Sequence, residues 1–295
     1  MDAELILDAR NATGESPVWN SREQALYWVD IPARRLHRWD PEKGQTHSWE
    51  TAEMLACIAS TPTGNWIAGM ESGLFMLDAS LDGKLNSTRL TDVNHAHPGM
   101  RFNDGRCDRQ GRFWAGTMAL DMATGSAAGA LYRYVSGQRE PLNPQLTGFM
   151  IPNGLAFSPD GKTMYLSDSH PSVQLIWAFD YDTQSGTPHN RRVFVDMNQQ
   201  PGRPDGAAID AEGCYWICAN DAGLIHRFTP DGRLDRSIGV PVKKPTMCAF
   251  GGRELDTLFV TSIRPAGDLS EQPLAGGVFA VRPGVKGMAE PVFER

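Results

Sequence analysis

Six short stretches of this chain share one form: a turn leads into a strand centred on an aromatic. They are "SREQALYWVD" around Trp28, "TPTGNWIAG" around Trp66, "DRQGRFWAG" around Trp114, "SPDGKTMYLSD" around Tyr165, "DAEGCYWICA" around Trp216 and "GGRELDTLFVTS" around Phe259. The aromatics recur roughly 38 to 51 residues apart, the blade period of a propeller. A small apolar strand precedes each run, as in "SPVW", "NGLAFS" and "DGAAID", and a third follows most of them, as in "RLHRWD" and "QLIWAFDYD". Weaker fourth strands such as "RRVFVD" come next. Helical periodicity is almost absent. The pattern predicts an all-β chain, a six-bladed β-propeller with four-stranded antiparallel blades, in preference to a two-sheet sandwich. Nothing divides residues 1–295, so a single domain is expected. The end segments "AELILD" and "EPVFER" both read as spare strands, one of which completes the last blade and removes its exposed edge.

Composition narrows the function classes. A net charge of −7 and a pI near 5.5 argue against a nucleic-acid partner, and "NRRVF" and "VKKP" are too short to reverse that. No apolar run reaches membrane-spanning length, and the acidic N-terminal segment does not read as a signal peptide. Five scattered cysteines without a C-x-x-C pair fit a reducing compartment; Cys214 and Cys218 read as core packing. A cytoplasmic protein with no membrane partner is expected.

The innermost strand of each blade lines the central channel, so the residue just before it sits at the channel mouth. Those positions are Glu15, one near Ala56–Cys57, Asn103, Asn153, Asp205 and Thr246. Converging carboxylates repel unless a cation or shared proton neutralises them. Two carboxylates with an amide oxygen make a hard, oxygen-rich set suited to Ca2+, Mg2+ or Mn2+; Zn2+ accepts carboxylate too but usually brings His or Cys. Asn or Asp before Gly, as in "NDG", "PNG" and "PDG", also makes a good turn. Three such residues in register on different blades favour a site.

The stretches "GESPVW", "RFNDGRCDRQGRFWAGTM", "IPNGLAFSPDGKTMYLSDS", "AFDYDTQSG", "PDGAAIDAEGCYW" and "PLAGGVFAV" span nearly the whole chain. In them the chain resembles the regucalcin (senescence marker protein)/gluconolactonase/luciferin-regenerating-enzyme-like family. The resemblance implies one divalent metal ion held by Glu15, Asn153 and Asp205. It also implies substrate contacts from Arg101 and Asn103, and from Asp121 where many members carry Glu. The shorter Asp121 alters the shape of the sugar pocket rather than the chemistry. The implied activity is hydrolysis of a sugar lactone, an aldonolactone, to the free sugar acid.

That chemistry needs a polarised carbonyl, a water nucleophile and stabilisation of the tetrahedral intermediate, which a divalent ion with open positions assists. Arg101 suits paired oxygens and Asn103 suits hydroxyls, while Asp205 is the candidate catalytic base as well as a ligand. A metal-dependent esterase or phosphotriesterase, and a non-catalytic propeller binding calcium or a partner, are the alternatives. His95 and His97 in "NHAHPGM" read as solvent-exposed, with a minor pocket-lining role open. Asp168, Ser169 and His170 are adjacent letters without a nucleophile elbow, so no triad is expected, although Asp168 is a candidate for the channel lining. "NDGRCDRQG" reads as turn chemistry rather than a calcium loop. Segments 122–130 and 264–277 are expected near the site.

Overall fold

The computed structural model describes residues 2–138 and 140–294. Six four-stranded antiparallel sheets account for nearly all the regular structure, with two short 3-10 turns. The inner strands are Gly14–Asn20, Leu55–Ser60, Met100–Cys107, Pro152–Phe157, Arg203–Ile209 and Pro245–Gly251, and we number the blades one to six in that order. Each inner strand packs beside the next, and the sixth packs against the first. The sheets therefore form a closed ring, not a sandwich. No described helix is long and apolar enough to cross a membrane.

The aromatic anchors fill the wedges between blades. Trp28, Trp66, Trp114, Tyr165, Trp216 and Phe259 are all buried. Polar hairpin residues hold several of them in place. Asp108 accepts the backbone N–H groups of Gln110 and Arg112, and Asp210 those of Glu212 and Cys214. Asp210 also accepts the Trp216 indole N–H at 2.9 Å. The "DRQG" and "DAEG" turns thus tie each hairpin to its own anchor, and the calcium-loop appearance of the first is turn chemistry. The five cysteines are buried and free.

The two chain ends behave differently from each other. Glu4–Leu7 pairs antiparallel with Val278–Val281 and becomes the outer strand of blade six. "EPVFER" is not a strand over its described residues; Arg295 lies outside them. The segment instead runs as a strap across the face opposite the channel mouth. Ala211 N–H bonds the Lys286 carbonyl in blade five, Phe293 N–H bonds Ser60 in blade two, and Glu294 N–H bonds Gly111 in blade three. Between these ties Glu290 pairs with Arg106 at 3.3 Å, and the Phe293 ring stacks on Tyr134 at 5.8 Å. With blade six already completed by Glu4–Leu7, the tail's apolar side chain takes an inter-blade pocket.

Candidate active site

All six inner strands carry a one-residue irregularity near the same end. Register slips between Glu15 and Val18, Leu55 and Cys57, Phe102 and Gly105, Asn153 and Ala156, Pro204 and Ala207, and Pro245 and Cys248. In each case two residues of the inner strand oppose one on its partner, which is a β-bulge and re-aims side chains. The bulges lie where the sequence places Glu15, Ala56, Asn103, Asn153, Asp205 and Thr246. "NDG" at 103–105, "PNG" at 152–154 and "PDG" at 204–206 are therefore not hairpin turns; they are kinks in inner strands. Blades one and four reach their kinks through left-handed backbone, Ser16 at φ 48° and Gly154 at φ 58°.

The kinks bring the predicted residues together. Asn153 donates to Asp205 Oδ1 at 2.5 Å, and Asn220 donates to Asp205 Oδ2 at 2.7 Å. Glu15 accepts only the N–H of its neighbour Ser16 among the described residues. Burial pushes the Glu15 carboxyl well above the usual range, and the charges of Asp205 and then Asp104 push it further. Burial likewise raises Asp205 to about 7, against the pull of Arg203 and its two amide donors. Arg101 Nη1 donates to the Phe102 carbonyl at 2.7 Å and to Asn103 Oδ1 at 2.9 Å. Its Nε and Nη2 make no hydrogen bond among the described residues, and burial lowers its pKa to about 10. Asn103 donates across the blade boundary to the Pro152 carbonyl at 3.2 Å.

Thr246 closes the ring by donating to the Gly14 carbonyl. Asp121 stands apart from this cluster. It is exposed at the start of the 3-10 turn Met122–Thr124, where its Oδ1 accepts Ala123 N–H at 3.0 Å. The segment after it borders Met150, Ile151 and His170, and the 264–277 loop folds back so that Arg264 N–H bonds the Asn11 carbonyl. Both segments connect the second and third strands of their blades on the mouth face.

Two further polar residues support the ring: Asn220, absent from the sequence reading, and Ser169, named there only as a letter of a triad. Asn220 holds Asp205, and Ser169 accepts from Asn153 at 3.2 Å while donating to the Pro204 carbonyl. Asn220 ends a second strand, as Asp30, Asp168 and Ser262 do, and that recurrence was the available signal. Asp168 does not line the channel as a free carboxylate. It accepts the N–H groups of Met150, Ile151 and His170, stapling the incoming loop as Asp30 does with Ala12 and Thr13. His170 turns to Ser172, so no triad forms. His95 and His97 are half-buried rather than fully exposed; their ring nitrogens meet the Glu71 and Pro98 carbonyls.

The donor set fits a hard divalent cation. Two carboxylates at its centre, half-buried Glu15 and buried Asp205, lack an ion-pair partner in direct contact among the described residues, while Asn153 turns its amide nitrogen to Asp205 and its oxygen to Gly154 N–H. A half-turn of the Asn153 amide would add a third oxygen. Asp210, Glu212 and Cys214 also lie close together, but Arg227 occupies that group, bonding Asp210 at 2.8 Å and Glu212 at 2.6 Å.

The sequence pattern described as the SMP-30/Gluconolactonase/LRE-like region matches residues 13–264. The chain belongs to the SMP-30/gluconolactonase/LRE-like family. Within it, a 6-deoxy-6-sulfogluconolactonase from Pseudomonas putida is 43% identical over 283 residues, covering 95% of this chain and 94% of that protein. Regucalcin from Danio rerio is 33% identical over 293 residues, covering 97% and 96%. In three dimensions, a calcium-binding regucalcin from Agrobacterium tumefaciens superposes with a TM-score of 0.90 at 28% identity, covering 99% of this chain and 97% of that one. These family relatives run the full length of the propeller, so its bulged ring is compared as a whole.

Proposed function

We propose that this protein is a cation-dependent sugar-acid lactonase, opening an aldonolactone to the free aldonate. The observation that carries the reading is the meeting of the Glu15 and Asp205 carboxylates with the Asn153 amide at the channel mouth, beside the unspent donors of Arg101. The full-length similarity to a 6-deoxy-6-sulfogluconolactonase supports the substrate class.

Glu15, Asn153 and Asp205 would hold the ion, which supplies Lewis-acid polarisation of the lactone carbonyl when bound. Arg101 presents two free donor positions to the oxygens of the ring ester. Asn103, held by Arg101 and by the Pro152 carbonyl, meets a hydroxyl. Asp121 keeps its second oxygen for another hydroxyl beyond the bond to Ala123. Asp205 receives the proton of the attacking water, with Asn220 fixing its orientation; positioned base assistance is worth about 10² to 10⁴-fold.

The test is a pH-indicator assay across glucono-, galactono-, arabinono- and xylono-lactones and a sulfonated gluconolactone. Chelator should abolish turnover, and add-back of Ca2+, Mn2+, Mg2+ or Zn2+ should restore it. Failure of every lactone in protein shown to carry its ion would overturn the reading.

A further inference from the structure

One position deeper than the ring, the inner strands contribute Ser16, Cys57, Asp104, Gly154, Gly206 and Met247. Asp104 is the single charged residue of that level. It is 6% exposed and sits inside the blade-three bulge beside Asn103. Its Oδ2 accepts Leu155 N–H from the neighbouring inner strand at 2.8 Å. Its Oδ1 is buried and has no partner among the described residues. A buried carboxylate oxygen left bare is costly, and such an atom needs a reason.

The charges stack along the axis. Glu15 and Asp205 lie at the ring, Asp104 one residue below, and Arg106 two residues further down the same strand. Arg106 crosses the channel to the Ala207 carbonyl of blade five at 2.5 Å and pairs with Glu290 of the C-terminal strap. The strap and Arg106 thus seal the lower end. From below, the Arg106 charge attracts Asp104 while also serving Glu290 and the Ala207 carbonyl; from above, Asp104 meets the Glu15 and Asp205 carboxylates. Both site carboxylates feel the Asp104 charge as repulsion. Three buried negative groups around one point are tolerable when a cation sits among them.

We propose that Asp104 is a positioning residue for the cation of this site, its half-unpaired carboxylate supplying the additional negative charge that retains the ion in the ring above. The proposal rests on the cation reading above. It extends that reading to a residue that the sequence presents only as part of a turn-like "NDG".

The test is Ca2+ titration calorimetry with thermal melts of cation-free protein, on the parent and on Asp104→Asn. The amide keeps an acceptor for Leu155 N–H and removes only the charge. The expected result is a Ca2+ affinity weakened about tenfold or more, with the cation-free melting temperature little changed, since the lost repulsion of Glu15 and Asp205 offsets the lost attraction of Arg106. An affinity within about twofold of the parent overturns the proposal. So does a weakened affinity with a lower cation-free melting temperature, which marks a structural role. A parent that binds no Ca2+, Mn2+, Mg2+ or Zn2+ fails the cation reading itself, a separate outcome. Should Asp104→Asn not fold, Asp104→Ser decides by the same two measurements: its Ca2+ affinity should also fall about tenfold or more, and an affinity within about twofold of the parent overturns the proposal.

Discussion

Asn153 and Asp205 come from different blades, 52 residues apart, and meet at 2.5 Å through the Asn153 amide. The contact exists because both inner strands kink at the same height. Each side chain depends on the other: Asp205 accepts from Asn153 and Asn220, and Asn153 is steadied by Ser169.

Asp205→Asn keeps this shape and removes the charge and the base. We expect kcat for lactone opening to fall by about 10²-fold or more. The gain in melting temperature on adding cation should disappear as well. Initial rates and paired melts with and without cation measure both. Retention of full turnover by Asp205→Asn would exclude the assigned role.

Gly154 follows Asn153 at φ 58°, and an added Cβ would lie 2.5 Å from the Tyr215 hydroxyl and 2.7 Å from Ser167 Oγ. Both neighbours are buried, so neither moves freely. Gly154→Ala should cost about 1–3 kcal/mol in backbone strain and also displace Asn153. Cation affinity should fall with stability, which urea midpoints and calorimetry report together. Gly125, also left-handed at φ 58° but with open space around its Cβ position, is the control. There Ala should cost less and leave cation binding intact.

Phe293 is buried in the cluster that contains Tyr134 and Phe113. Phe293→Ala should destabilise by about 3–5 kcal/mol, the usual range for a buried phenyl group. A change below about 1 kcal/mol in chemical denaturation would show that the strap does not hold the ring.

His37 stacks on Trp28 at 5.0 Å, shares a hydrogen with Ser48 at 2.7 Å, and has a buried Nε2 without a partner. Burial lowers its pKa from 6.5 to about 4, and His226 shifts in the same direction. The unfolded chain therefore takes up the proton first as the medium acidifies. Stability should fall between about pH 6.5 and pH 4, by about 1.4 kcal/mol per pH unit for His37 at the steepest. His37→Gln should flatten that slope in urea melts at about pH 7 and pH 5. An unchanged slope would show that His37 is not the acid-sensitive group.

Much of this was legible in the sequence because a propeller repeats one unit. Trp66, Trp114 and Trp216 recur behind the same Gly-containing turns, and the residue before each small apolar strand recurs at the ring. Glu15, Asn153 and Asp205 could therefore be placed without coordinates. Features that occur once were not legible. "EPVFER" alternates as a strand does, yet Glu4–Leu7 is the strand that pairs with Val278–Val281. The tail is decided by Arg106 and Tyr134, far away in sequence. Asp104 was hidden because Asp before Gly has an ordinary meaning in a turn. Asn220 was hidden because a polar strand end needs no function, and the part of Ser169 because its neighbours suggest a triad rather than a support for Asn153. Asp121 was placed by resemblance alone, and its cap on the 3-10 turn is a purely local fact.

The seam in blade six has a consequence for biosynthesis. Glu4–Leu7 leaves the ribosome long before its partner Val278–Val281. The ring cannot shut on a nascent chain until that partner has emerged behind the strands of the other five blades. Moving the termini to the hairpin after Ala79 would put the seam inside blade two, leaving the final join in blade six to form as an ordinary connection within the polypeptide.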